Sequence, residues 1–194
     1  DEERIFQLIE HFDAGKTLNG LSLENTELLL ILFTWLLTSS NRILRDKASK
    51  ASIELLKRQF SLCKSLLQRF ENVNDPYVLQ RLYGIVFGAC TKRIGSNYAT
   101  YRMLAEYVYN RIFNQENVYP DILLRDYARL ILELWMYEAP EDSDFIDVAK
   151  IRPPYCSAEI PIVEKQEYYQ EPPGHSGFNA IYFSMNINHP DTPG

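Results

Sequence analysis

The sequence predicts an all-α fold: an α-α superhelical array of about seven helices, followed by an irregular, proline-rich C-terminal extension. Three observations predict it. Helix-start signals recur through the first 137 residues, one apolar spacing recurs in three of the predicted helices, and the composition changes near Tyr137. With 194 residues, of which 46% are hydrophobic, the chain is long and apolar enough to bury a full core.

The first three predicted helices follow from amphipathic spacing and from N-cap residues. Residues 3–12 form an acidic amphipathic stretch, which predicts a helix and lacks the positive start of a signal peptide. Asn25 is placed as the N-cap of the second helix, whose apolar run, residues 28–37, is far shorter than the about 20 residues that span a bilayer. Asn41 is placed as the N-cap of the third helix, which continues through "RILRDKASKASIELLKRQ".

Four more helices are predicted, and the last of them ends near residue 137. "SLCKSLLQRF" predicts a short fourth helix. Asp75 as N-cap with Pro76 at the first helical position predicts the fifth, because the carboxylate accepts free amide protons and proline presets φ. "NYATYRMLAEYVYNRIF" predicts the sixth, and Pro120 is placed at the first helical position of the seventh, "DILLRDYARLILELW".

One apolar spacing, with steps of four, three and four residues, occurs in the third, fifth and seventh predicted helices. Such steps place the residues on one helical face. The successive offsets of 34 and 46 residues match the lengths of helical-pair repeats, roughly 34 to 47 residues. We therefore predict stacked helix pairs with these positions buried: Leu44, Ala48, Ala51, Leu55; Val78, Leu82, Ile85, Ala89; Leu124, Ala128, Ile131, Trp135.

Residues 22–137 resemble known helical repeats. The Asp75-Pro76 helix start and the Leu-Arg-x-x-Ala pattern at Leu44 and Leu124 resemble HEAT or armadillo-type repeats. "WLLTSSNRILRDKASKASIELL" with "FENVNDPYVLQRLYGIVFGAC" resembles the helical repeat portion of large bacterial STAND-type NTPases, including antiphage defence proteins. The resemblance implies a region that senses a partner or supports oligomerisation beside an NTPase module. No G-x-x-x-x-G-K-[ST] occurs here, so no nucleotide-site residue is implied in this chain.

The composition predicts two regions, a helical domain at residues 1–137 and an acidic extension at residues 138–194. The first has a formal charge of +1 and the second of −7, and eight of the ten prolines lie in the second. "AEIPIVEKQEYY" and "AIYFSMNI" are rich in aromatic and β-branched residues, which is more apolar content than a solvated tail carries. We expect the extension to be partly ordered against the helices, as short strands or as extended segments.

The repeated Arg-Asp pairs, Arg45 with Asp46 and Arg125 with Asp126, allow two interpretations. Twin catalytic pairs would have to converge in one cleft, which units eighty residues apart do not favour. Because each pair accompanies the apolar stripe in the same register, we interpret both as structural pairs that bond locally or reach a carboxylate on a neighbouring helix.

No catalytic, cofactor or metal site is predicted. His11, His175 and His189 have no ligand partner at a metal-binding spacing, and no G-x-S-x-G pattern occurs. An internal cavity lined by Arg81, Glu106 and His11 would revive the alternative of an enzyme with a helical active site. The three dispersed cysteines suit a reducing compartment, so we expect a cytoplasmic protein without a membrane span.

A basic helix face is the predicted partner site. Lys47, Lys50, Lys57 and Arg58 lie in a segment, residues 41–69, that has eight basic and two acidic residues. Either this face is simply solvated, or it binds an acidic protein partner or the chain's own acidic extension. The sequence pI of about 5.2 argues against nucleic acid as the partner.

The sequence therefore predicts a non-enzymatic protein-interaction or scaffold module, cut from a larger protein. The alternative is a sensor or regulatory domain of a bacterial STAND-type NTPase, with other domains of the parent chain as partners. Stacked helix pairs form extended binding surfaces, which is the physical reason for both expectations.

Overall fold

The computed structural model describes residues 2–13, 20–95 and 97–157. All of them belong to the first of two compact units, Asp1–Ala158, and the second unit is Glu159–Gly194. The described residues contain no β-strand, and the all-α prediction is confirmed for them. They form seven α-helices with a π-helical turn at Tyr109–Phe113 and a 3-10 turn at Pro140–Asp142: α1 Glu2–Asp13, α2 Leu23–Leu36, α3 Arg42–Leu56, α4 Leu62–Phe70, α5 Pro76–Lys92, α6 Tyr98–Val108 and α7 Ile122–Glu138.

Two predicted helix starts are confirmed by their capping bonds. Asn41 Oδ1 accepts the backbone N–H groups of Ile43 at 3.0 Å and Leu44 at 3.3 Å. Asp75 Oδ1 accepts those of Tyr77 at 3.0 Å and Val78 at 3.2 Å. Both side chains satisfy amides that have no partner inside the helix, and a cap of this kind contributes about 1 kcal/mol.

Two other predicted helix starts were wrong by a few residues. Asn25 lies inside α2, and the cap is Ser22, whose Oγ accepts the Asn25 N–H at 3.1 Å. Pro120 precedes α7, and the cap is Asp121, whose Oδ1 accepts the Leu124 N–H at 2.8 Å. In both cases the acceptor nearest the first free amides determined the start, because it satisfies them directly.

The helices form two rows of neighbours. In one row α1, α3, α5 and α7 contact one another in that order, and in the other α2 contacts α4 and α4 contacts α6. Consecutive helices also pack across the rows, α2 on α3, α4 on α5 and α6 on α7. The three helices with the repeated apolar spacing are therefore successive members of one row. All the predicted stripe positions are buried, none above 5% exposed, so that part of the prediction is confirmed.

The chain after α7 returns across the helices up to residue 157. Ile146 and Ile151 are buried in the same core as the helices. The Asp147 N–H donates to Tyr109 Oη at 3.2 Å, and the Val118 N–H donates to the Cys156 carbonyl at 2.6 Å. The change in composition near Tyr137 therefore falls inside the first compact unit. The strands expected in "AEIPIVEKQEYY" and "AIYFSMNI", together with His175 and His189, lie outside the described residues.

α2 is apolar around most of its circumference, yet it is only 14 residues long. Its buried face includes Leu30 and Phe33, while Leu28, Leu32 and Trp35 point outward and are between 43% and 59% exposed. In the part of the chain that the structure describes, no helix combines the length and the apolar character needed to cross a bilayer.

Candidate functional site

An open groove of about 420 Å³ lies on the row formed by α3, α5 and α7. Each of these helices turns its apolar stripe into the core, and the groove is built mainly from side chains beside the stripe, with Ile85 as the stripe residue that reaches its lining. A volume of this size lies within the roughly 300–1,000 Å³ of ligand-binding clefts. The lining residues come from all three helices: Ser49, Ile53, Tyr77, Gln80, Arg81, Gly84, Ile85 and Tyr127.

Two glycines in α5 let side chains of the neighbouring helices cross over it. A Cβ on Gly84 would stand 3.1 Å from the ring of Tyr127, which belongs to α7. A Cβ on Gly88 would stand 2.8 Å from the Cδ1 atom of Ile53, which belongs to α3. A glycine inside a helix destabilises it by about 0.5–1 kcal/mol relative to alanine. Here the two glycines allow Tyr127 and Ile53 to approach the α5 backbone closely from both sides.

Tyr77 and Arg81 line the polar end of the groove, and Arg45 lies beside them in contact with Tyr77. Tyr77 Oη accepts hydrogen bonds from Arg45 Nε at 3.1 Å and from Arg81 Nε at 2.8 Å. Both guanidinium groups also lie over the Tyr77 ring, with their Cζ atoms 5.4 Å and 5.2 Å from the ring centroid. The aromatic face stabilises the positive charges, and the hydroxyl fixes their orientation.

Asp46 is the carboxylate of this polar end. Arg81 Nη1 donates to Asp46 Oδ1 at 2.8 Å. Arg42, on the same helix as Asp46, has its Nε atom 3.6 Å from Asp46 Oδ2. The hydrogen bond from Arg81 is the main reason that the pKa of Asp46 lies below its usual value. Within the described residues, no carboxylate forms an ion pair with Arg45. The polar end therefore has an excess of positive charge.

The two predicted Arg-Asp pairs have different surroundings in the structure. Arg45 and Asp46 both reach residues of α5, so this pair connects neighbouring helices. Arg125 instead donates to Ser157 Oγ at 3.0 Å and lies over the Tyr155 ring at 4.6 Å, while Asp126 pairs with Arg129 within α7. The four residues do not converge in one cleft. Their difference arises because α3 has a following helix in its row, whereas the 139–157 segment lies beside α7.

The predicted basic face is partly neutralised by neighbouring carboxylates. Lys47 pairs with Glu10 of α1, and its ammonium lies 5.7 Å from the Phe6 ring centroid. Lys57 pairs with Glu54 within α3. The other two predicted residues are exposed to solvent: Lys50 and Arg58.

Most residues that line the groove are not predicted by the sequence motifs. Of the three residues considered for a cavity, Arg81 lines the groove, whereas Glu106 and His11 do not. Glu106 pairs with Arg102 at 3.0 Å, and His11 contacts Phe12 with ring centroids 5.2 Å apart. The glycine pair in "GIVFG" was a usable signal, because glycines four residues apart share a helix face.

The reactive side chains of the core are held in their neutral forms. Burial raises the pKa of the Cys63 thiol well above its usual value and that of Cys90 to about 12. A neutral thiol is a poor nucleophile and a poor metal ligand. Over the described ranges, no three His, Cys, Asp or Glu side chains are grouped so that they could hold a metal ion.

Comparison of the chain with protein-family models, with curated proteins and with solved structures gave no match. The similarity to HEAT-type repeats and to STAND-type NTPases therefore stays a prediction from the sequence motifs. The groove has to be interpreted from its own geometry.

Proposed function

We propose that this chain is a non-enzymatic protein-interaction module, built from helical repeats and belonging to a larger protein. The groove that α3, α5 and α7 form together is the observation that carries the proposal. Its arginine and tyrosine side chains are of the types enriched in the energetic centres of protein interfaces. The cross-row pairs α2/α3, α4/α5 and α6/α7 support the repeat interpretation, since each pair would be one unit.

The alternative role is a sensor or regulatory domain of a STAND-type NTPase. One observation favours it: the two segments that resemble such proteins, residues 35–56 and 70–90, contain α3 and most of α5, which are neighbours in one row. In this role the partner would be another domain of the parent protein. The groove would then transmit a contact to a catalytic module.

We propose a cytoplasmic location for this module. Cys63 and Cys90 are free and buried, and Cys156 is free and exposed. Free thiols persist in reducing compartments, which supports this location.

The proposal is tested by capturing partners of the full-length parent protein with a matched pair of variants. Tyr127→Glu places a charge in the groove, and Tyr137→Glu makes the same change on the same helix, at a side chain that is 85% exposed and does not line the groove. We expect a partner that the wild-type protein and Tyr137→Glu both capture to be reduced about tenfold or more with Tyr127→Glu. Equal capture by all three folded proteins, with folding checked by circular dichroism, would exclude the groove as the binding site.

A further inference from the structure

We propose that the groove binds an extended peptide segment in which a carboxylate side chain precedes aliphatic side chains on the same face. This inference rests on the proposed function and names the chemistry of its partner. The carboxylate would bind at the polar end, beside Tyr77, and the aliphatic side chains would pack against Ile53 and Tyr127.

The polar end has donors available for an anion. Arg45 and Arg81 each donate hydrogen bonds to protein groups through their Nε and Nη1 atoms. Across the described part of the chain, no hydrogen bond involves the Nη2 atom of either arginine, and neither Nη2 atom is fully buried. Arginine stays charged at any physiological pH, and a carboxylate accepts strong charge-assisted hydrogen bonds from it. An anion placed here would also reduce the repulsion between the two guanidinium groups.

A carboxylate fits this position better than a phosphate does. Asp46 already lies 2.8 Å from Arg81, and a phosphate with a charge of roughly −1.5 to −2 would be repelled by it more strongly than a monoanion would. The N-terminal amides of α5, which would otherwise favour a phosphate, are already bonded to Asp75. Acidic peptides are therefore favoured over phosphorylated ones and over nucleic acid.

The apolar end of the groove is lined by Ile53, Ile85 and Tyr127. The Tyr127 ring lies over Gly84 and the Ile53 side chain lies over Gly88, so these two side chains form its apolar surface. Aliphatic side chains of a partner could bury apolar area against both of them. Such burial contributes roughly 25 cal/mol per Å².

The spacing between the two ends of the groove fits an extended partner. Tyr77 and Gly84 are seven residues apart in α5, which is about 10 Å along the helix axis. Side chains on one face of an extended chain recur every two residues, about 6.6 Å apart. A carboxylate at position i and aliphatic side chains at i+2 and i+4 therefore span both ends of the groove.

Three acetylated and amidated pentapeptides test this partner chemistry by NMR titration of the chain. The probe is Glu-Ala-Leu-Ala-Leu; one control replaces its Glu by Gln, and the other replaces both Leu by Ala. We expect the probe to shift resonances of groove residues and the Gln control to bind about threefold to fivefold more weakly, since the ion pair is partly exposed. The Ala control should bind more weakly as well, and affinity for the probe should fall with added salt.

Arginine variants test whether the polar end of the groove recognises the carboxylate of the probe. Arg81→Gln should remove the preference for the Glu peptide over the Gln peptide. Arg102→Gln, which changes an arginine of α6 that pairs with Glu106 and Asp142, should keep the preference. Thermal unfolding of both variants shows whether each is folded, and Arg45→Gln serves as a second groove variant should Arg81→Gln prove unstable.

Several outcomes would overturn the inference. The first is that the probe does not bind at concentrations up to about 5 mM, and the second is that the three peptides bind with equal affinity. The third is that the shifted resonances all belong to residues outside the groove. The fourth is that inorganic phosphate displaces the probe at a lower concentration than acetate does. If any of these occurs while Tyr127→Glu still reduces partner capture, the groove binds a partner of different chemistry and the proposed function stands. If capture by Tyr127→Glu is also normal, both proposals fail.

Discussion

The two glycines of α5 allow a quantitative test of how the groove is built. In an open helix, Gly→Ala stabilises by about 0.5–1 kcal/mol. At Gly84 the new methyl group would meet three atoms of the Tyr127 ring at 3.1, 3.2 and 3.4 Å. Carbon atoms pack comfortably at about 3.5–4.0 Å, so the whole ring would have to move. Overpacking of this kind costs about 1–3 kcal/mol. We therefore expect Gly84→Ala to destabilise the chain by about 1 kcal/mol.

Gly88→Ala differs because its obstacle is flexible. The atom at 2.8 Å is the terminal methyl of Ile53, which a side-chain rotation can remove at a cost of about 0.5–1.5 kcal/mol. The gain in helix propensity and this cost nearly cancel. We expect a change in the free energy of unfolding close to zero, and in any case a smaller loss than for Gly84→Ala.

Urea unfolding followed by circular dichroism measures both changes, with the slope m checked for constancy. If Gly84→Ala stabilised the chain by the full helix-propensity gain, the ring of Tyr127 would not require a glycine beneath it. The geometric account of the groove would then be wrong.

Two further predictions concern single contacts. The hydrogen bond from Arg81 lowers the pKa of Asp46, so the stabilisation from this ion pair should be present at neutral pH and disappear as the pH falls below the usual Asp value of 3.8. Asp46→Asn should lower the free energy of unfolding by about 0.5 kcal/mol at pH 7, because the pair is partly exposed. The unfolding curves of the wild-type protein and the variant should converge in acid. Tyr101 is buried and donates to the Ile131 carbonyl at 2.8 Å; Tyr101→Phe should cost about 1 kcal/mol in urea unfolding, and an unchanged midpoint would show that this bond contributes nothing net.

Much of the fold could be predicted from the sequence because the relevant interactions are local. An N-cap such as Asp75 acts over three residues, and the apolar stripe beginning at Val78 follows from helical periodicity. The errors at Asn25 and Pro120 were of the same local kind, since a better acceptor stood one to three residues away. The burial of each stripe followed because an apolar helix face must pack against another element.

The candidate site depended on interactions that the sequence does not reveal. Asp46 and Arg81 are 35 residues apart, and Lys47 and Glu10 are 37 apart. Whether such side chains meet is determined by which helices are neighbours and by how far one is shifted along the other. The sequence by itself therefore determined the helices, their caps and their buried faces. Only the tertiary structure decided that Arg81 faces Asp46, that Lys47 is neutralised by Glu10, and that Tyr127 and Ile53 lie over the glycines of α5, because each of these depends on the packing of several helices at once.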